Sequence, residues 1–113
     1  MMRLLTVVIA AGFAAVAMSA SASGQSKLAG QALAERLCAK CHAIDKTGHS
    51  PLKKAPPFRV IANRYSVWLL QEALAEGIVT GHEAMPEFTL KPDEIADLLT
   101  FMDTLTAPKS KHQ

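Results

Sequence analysis

Large aromatic side chains are scarce: one Trp, one Tyr and four Phe in 113 residues. Phe13 falls in an apolar leader, which leaves Phe58, Tyr65, Trp68, Phe88 and Phe101 for the body of the chain. So short a body, with so few bulky residues, does not readily close a core of its own. Domains of this size commonly lean on a disulfide, a metal or a cofactor, so something besides side chains is expected at the centre. Strand patterning is also missing, which argues against sandwiches and barrels. Cysteine is limited to Cys38 and Cys41, so one bridge is the most that can form. The basic residues are not interleaved with aromatics, and no nucleic-acid stripe results. Length predicts one domain, and no internal repeat divides it.

The amino-terminal segment is read separately. Met1-Met2-Arg3 gives a positive start, Leu4 to Met18 is almost wholly apolar, and Ala20-Ser21-Ala22 has the small-x-small pattern of a cleavage site. These are the three parts of a secretory signal peptide. The apolar run is shorter than the roughly 20 residues of a spanning helix, and no cysteine near the cleavage site offers a lipid anchor. The expected division is a signal peptide over 1–22 and a mature domain over 23–113, with 108–113 a frayed tail. Export to the periplasm, with no stable membrane anchor after cleavage, follows from this reading.

Charge is balanced in total, at a formal +2, but segregated along the chain. Gly24 to Arg64 holds eight basic and two acidic residues; Tyr65 to Ala107 holds one basic and eight acidic. A folded chain of this kind carries an electric dipole that orients charged partners, or else a solvated surface segregated by accident.

Helix signals dominate. Ser26 to about Ala39 is rich in helix formers, with Gly30, Leu33, Ala34 and Leu37 on one face. Gly30 costs about 1 kcal/mol against Ala in mid-helix, which points either to another backbone or ring coming close there or to a glycine that is simply tolerated. Ala43 to Arg64 shows no sustained period and contains Thr47-Gly48, Ser50-Pro51 and Pro56-Pro57, so it reads as a long loop wrapped around something. Ser66 to Glu76 predicts a second helix, with Ser66 as N-cap, Val67, Leu70 and Leu74 on its face, Trp68 beside it and Gly77 as its stop. Ile78 to Leu90 is irregular. Pro92 to Leu105 predicts the strongest helix: Pro92 in its first turn, Asp93, Glu94 and Asp97 near its positive end, and Ile95, Leu98, Leu99, Met102 and Leu105 on its apolar face. The fold class is all-α, about three main helices with irregular loops.

Cys38-Ala39-Lys40-Cys41-His42 bears the chemistry. Two thiols three positions apart at a helix end project nearly together. Three readings compete. A reactive dithiol needs its C-x-x-C at a helix N-terminus, whereas this one ends a predicted helix. Zinc lacks a complete shell, since His49, His82 and His112 show no ligand spacing. Covalent haem fits: the thiols bond the two vinyl groups of one porphyrin edge, and His42 is held beneath the ring as an iron ligand. Haem c, one per chain, is the expected cofactor, with Cys38 and Cys41 as its thioether residues. For the second axial ligand, Met102 lies on the core face of the last helix, whereas Met85 lies in a loop before Pro86. Met85 is favoured; His82, three residues earlier, and an open site are its rivals. His/Met ligation raises the iron's potential and suits electron transfer over oxygen chemistry.

In the order of its parts (a helix with Gly30, then C-x-x-C-H, a loop with Pro56-Pro57-Phe58, a middle helix, Met85-Pro86 and a last helix with Phe101) the mature chain resembles the class I cytochromes c, especially short single-haem bacterial members. The resemblance covers essentially the whole mature sequence. It implies the cytochrome c fold, with the first and last helices crossing where Gly30 meets Phe101. It also implies that a proline carbonyl, of Pro56 or Pro57, accepts a hydrogen bond from the Nδ1–H of His42. Arg59, Tyr65 and Trp68 are candidates for a haem propionate. Lys91 before Pro92, in place of Ser or Thr, departs from the family pattern and predicts a weaker cap.

The expected function is periplasmic electron carriage between redox partner proteins, without enzymatic activity of its own. Lys40, Lys46, Lys53 and Lys54 are expected to form the docking surface. The alternative is a dedicated haem subunit of a periplasmic dehydrogenase or reductase complex; a haem sensor or peroxidase would require Met85 not to bind. The chain is accordingly expected as a monomer or as one subunit of a redox complex.

Overall fold

A computed structural model describes residues 9–15, 26–77 and 85–108. Of the expected signal segment, 9–15 is irregular and exposed. The Ala20-Ser21-Ala22 cleavage pattern, His82, His112 and the tail from Lys109 lie outside the described residues.

Among the described residues four α-helices and one 3-10 turn follow in order: α1 (Lys27–Leu37), α2 (Phe58–Arg64), the 3-10 turn (Val67–Leu70), α3 (Gln71–Glu76) and α4 (Pro92–Asp103). No strand occurs among the described residues. Ser26 caps α1, its hydroxyl accepting from the Ala29 N–H at 3.1 Å. Gly30, Leu33 and Ala34 form the buried stripe that the sequence period predicts. α4 begins with Pro92, and its Glu94 carboxylate accepts from the Lys91 N–H at 2.9 Å. This carboxylate anchors the start of the helix where the residue before Pro92 has no hydroxyl to do so. Ile95, Leu98, Leu99, Phe101 and Met102 are buried on α4, each contributing about 1.5–3 kcal/mol on full burial.

α1 packs chiefly on α4. Gly30 sets how closely they cross: a Cβ there would overlap the Asp97 carbonyl and come within 2.9 Å of Phe101 Cβ. The same crossing is pinned from the side by the Ser26 N–H, which donates to Asp97 Oδ1 at 2.7 Å.

Two expectations are corrected. The stretch from Ala43 to Arg64 is not irregular throughout, because its last seven residues form α2, burying Phe58 and Ala62. The second helix is also not continuous from Ser66. It starts as a 3-10 turn, in which the Ser66 carbonyl accepts from Leu69 N–H at 3.1 Å and the Ser66 side chain makes no cap bond. Gly77 does end α3, at φ 95°, a conformation side-chain-bearing residues avoid.

Candidate functional site at the Cys38–His42 turn

Cys38 is the C-cap of α1, with its N–H donating to the Ala34 carbonyl. Its carbonyl then accepts from both Cys41 N–H at 3.1 Å and His42 N–H at 2.9 Å. One tight turn thus brings both thiols and the imidazole together. The thiols are free and half-buried. Burial pushes the Cys38 thiol up to about 11, so it is held as a neutral thiol, the opposite of an activated dithiol.

Two contacts fix the imidazole. His42 Nδ1 lies 2.7 Å from the Pro56 carbonyl oxygen, and the ring packs at 48° against Phe58, centroids 5.5 Å apart. A carbonyl only accepts, so Nδ1 carries the proton. In the neutral ring Nε2 then keeps its lone pair, and it has no partner among the described residues. The structure also separates Pro56 from Pro57. The Pro57 carbonyl is taken by α2, accepting from Val60 and Ile61 N–H, which leaves that of Pro56 for His42.

The loop beneath is tied down along its length. Phe58 N–H donates to the Ala43 carbonyl at 2.8 Å, and Leu52 N–H to the Cys41 carbonyl at 3.1 Å. Ser50 Oγ accepts from Ala43 N–H at 3.0 Å, and Arg59 Nη2 donates to the Gly48 carbonyl at 2.6 Å. The other terminal nitrogen, Arg59 Nη1, is buried without a partner.

Met85 is half-buried at the start of the irregular segment leading to α4. Leu90 N–H in that segment donates to the Leu74 carbonyl of α3 at 3.1 Å. Met102 is buried in the core, as expected. Among the described residues no three His, Cys, Asp or Glu side chains converge as a metal shell, so nothing supports the zinc reading there. Tyr65 and Trp68 are exposed. A cavity of about 530 Å³ lies away from this turn, between Trp68 on the 3-10 turn and Ile95 on α4. A smaller one, about 240 Å³, adjoins His42.

The family model for cytochrome c matches residues 28–106. The chain belongs to the cytochrome c family. No curated protein and no solved structure matches it. Membership makes haem c the cofactor and haem-based electron transfer the general activity of this cytochrome c. The donor set agrees: two unpaired thiols beside an imidazole whose free nitrogen is a lone-pair donor. No helix among the described residues is long and apolar enough to cross a membrane. Sequence reasoning did not find Asn63, which accepts from Ala107 N–H at 2.8 Å and donates to the Arg59 and Leu105 carbonyls. An asparagine near a helix end carries no signal of such a clasp.

Proposed function

We propose that this cytochrome c is an exported one-electron carrier whose haem is bonded to Cys38 and Cys41 and ligated by His42 Nε2 and the Met85 thioether. Bound haem supplies an iron that takes one electron from a reduced donor protein and gives it to an oxidised acceptor, cycling between Fe(III) and Fe(II) with no atom transferred. The observation that carries the reading is the hydrogen bond from His42 Nδ1 to the Pro56 carbonyl. It fixes the tautomer and aims Nε2. Phe58 restrains the same ring from the side.

The remaining residues complete the proposal. Met85 would be the second ligand to the iron, and its thioether would raise the potential. Arg59 keeps a buried donor, Nη1, that would suit a haem carboxylate. Lys40, Lys46, Lys53 and Lys54 are all exposed, within fifteen positions that include Cys41 and His42, and form the docking surface for an acidic redox partner. The segment 1–22 directs export to the periplasm and is removed after Ala22.

The absorption spectrum of the exported protein tests this. Haem that stays on the chain after denaturing extraction establishes the thioethers. A weak red iron–sulfur band in the oxidised form, lost in Met85→Ala, establishes the methionine ligand. Covalent haem without that band, together with ready binding of carbon monoxide, overturns Met85 and with it simple electron carriage.

A further inference from the structure

The cavity of about 530 Å³ shares no residue with the Cys38–His42 turn or the four lysines. Its lining includes Trp68, Leu69, Glu72, Ala75, Pro92 and Ile95. It is open and apolar on its floor, where Ile95 is buried. Leu69, 73% exposed at its edge, does nothing for the core. Its surroundings are acidic. Glu72 lines it, Glu76 follows Ala75 on α3, and Asp93 follows Pro92 on α4. None of these three carboxylates has an ion pair among the described residues. Lys91 precedes Pro92 and brings a cation to the start of α4. An apolar floor with an anionic rim fits a short segment that offers an aliphatic anchor next to paired cations.

The chain itself presents such a segment. Leu52, 38% exposed, is followed by exposed Lys53 and Lys54. Their turn is already ordered: Leu52 N–H donates to the Cys41 carbonyl and its own carbonyl accepts from Ala55 N–H at 3.0 Å. A preformed turn loses little freedom on docking. Lys27-Leu28 is the other exposed pair of this kind but brings a single cation.

We propose that the groove between α3 and α4 receives the Leu52-Lys53-Lys54 turn of a second copy of this chain. The contact is heterologous, joining two different surfaces, so it links copies head to tail, in rows or, where the rotation closes, in rings. It is small and charge-dependent, in the class of weak transient encounters below about 1,200 Å². Because it occupies Lys53 and Lys54, self-association also withdraws the docking surface proposed above. The contact itself does not depend on the electron-carrier reading.

Sedimentation velocity on the holoprotein tests it. At low ionic strength the sedimentation coefficient of the wild type rises with protein concentration, and the rise disappears when salt shortens the screening length to a few ångströms. Leu69→Lys alone, which replaces the apolar edge with a charge that repels the incoming lysines, and Lys53→Glu/Lys54→Glu alone each stay monomeric. Mixed, the two variants form a one-to-one pair and nothing larger, because each keeps one intact half of the contact. An unchanged visible spectrum and far-UV circular dichroism check that the variants are folded. A wild type that is monomeric at every concentration overturns the proposal. So does association that survives in either single variant, or a mixture that fails to pair.

Discussion

Gly30 occupies a position where helix propensity and packing conflict, and packing wins. Alanine would favour α1 by about 1 kcal/mol, yet its methyl group would overlap the backbone of Asp97. Backbone atoms in a packed helix cannot rotate aside, so α1 and α4 must separate. Gly30→Ala is expected to destabilise the holoprotein by roughly 1–3 kcal/mol, read as a lower urea midpoint at unchanged slope. A midpoint equal to or above that of the wild type contradicts this account of the crossing. The glycine's cost was legible in the sequence, with a close approach as one of its two readings, and its meeting with Phe101 followed from family resemblance. The choice between Pro56 and Pro57 was not legible. Two adjacent prolines are alike as residues; what separates them is that α2 claims the second carbonyl, and α2 was itself unread.

The long, regular elements were the legible ones. α1 and α4 declare themselves through apolar stripes and end signals, and their bounds lie within about two residues of expectation. α2 escaped because two turns of helix behind a Pro-Pro pair give too short a window for a period to emerge. The 3-10 turn at Val67–Leu70 escaped because the same residues suit either helix, and backbone bonding alone distinguishes them. What makes α2 matter is Asn63. One amide holds the Arg59 carbonyl, the Leu105 carbonyl and the Ala107 N–H, joining α2 to the chain just past α4. Asn63→Ala removes these bonds at about 0.5–1.5 kcal/mol each. A loss of roughly 1.5–4.5 kcal/mol is expected from this, with faster hydrogen exchange at the Ala107 amide. Exchange unchanged at Ala107 would mean the clasp is not populated in solution.

Across the described residues, the charge segregation seen in the sequence puts exposed lysines on the stretch around the Cys38–His42 turn and carboxylates in and beside the groove of α3 and α4. Reversing the first, with Lys40, Lys46, Lys53 and Lys54 all changed to Glu, is expected to slow electron exchange with an acidic partner at low salt by at least tenfold, within the range that electrostatic steering spans. It should also remove the fall in rate that salt normally produces. Stopped-flow rates across ionic strength measure both, and equal rates for variant and wild type would remove the lysines from the docking surface. The scarcity of large side chains has its own consequence. The buried set is mostly small and aliphatic, so the chain is expected to need its cofactor to fold. A Cys38→Ser/Cys41→Ser chain should lose most of its far-UV helical signal, and retention of the full signal would show a self-sufficient core.

The Ser26–Asp97 bond spans 71 positions, and that interval sets an order of events. A chain made from its amino end exposes Cys38, Cys41 and His42 well before the residues of α4 exist. α1 has nothing to lie against during that time, and a lone helix of its length is marginal in water. Cys38, Cys41 and His42 therefore pass through a stage in which the helix that leads to them has no partner. Completion of the carboxyl-terminal helix is the step that gives α1 the surface it packs on.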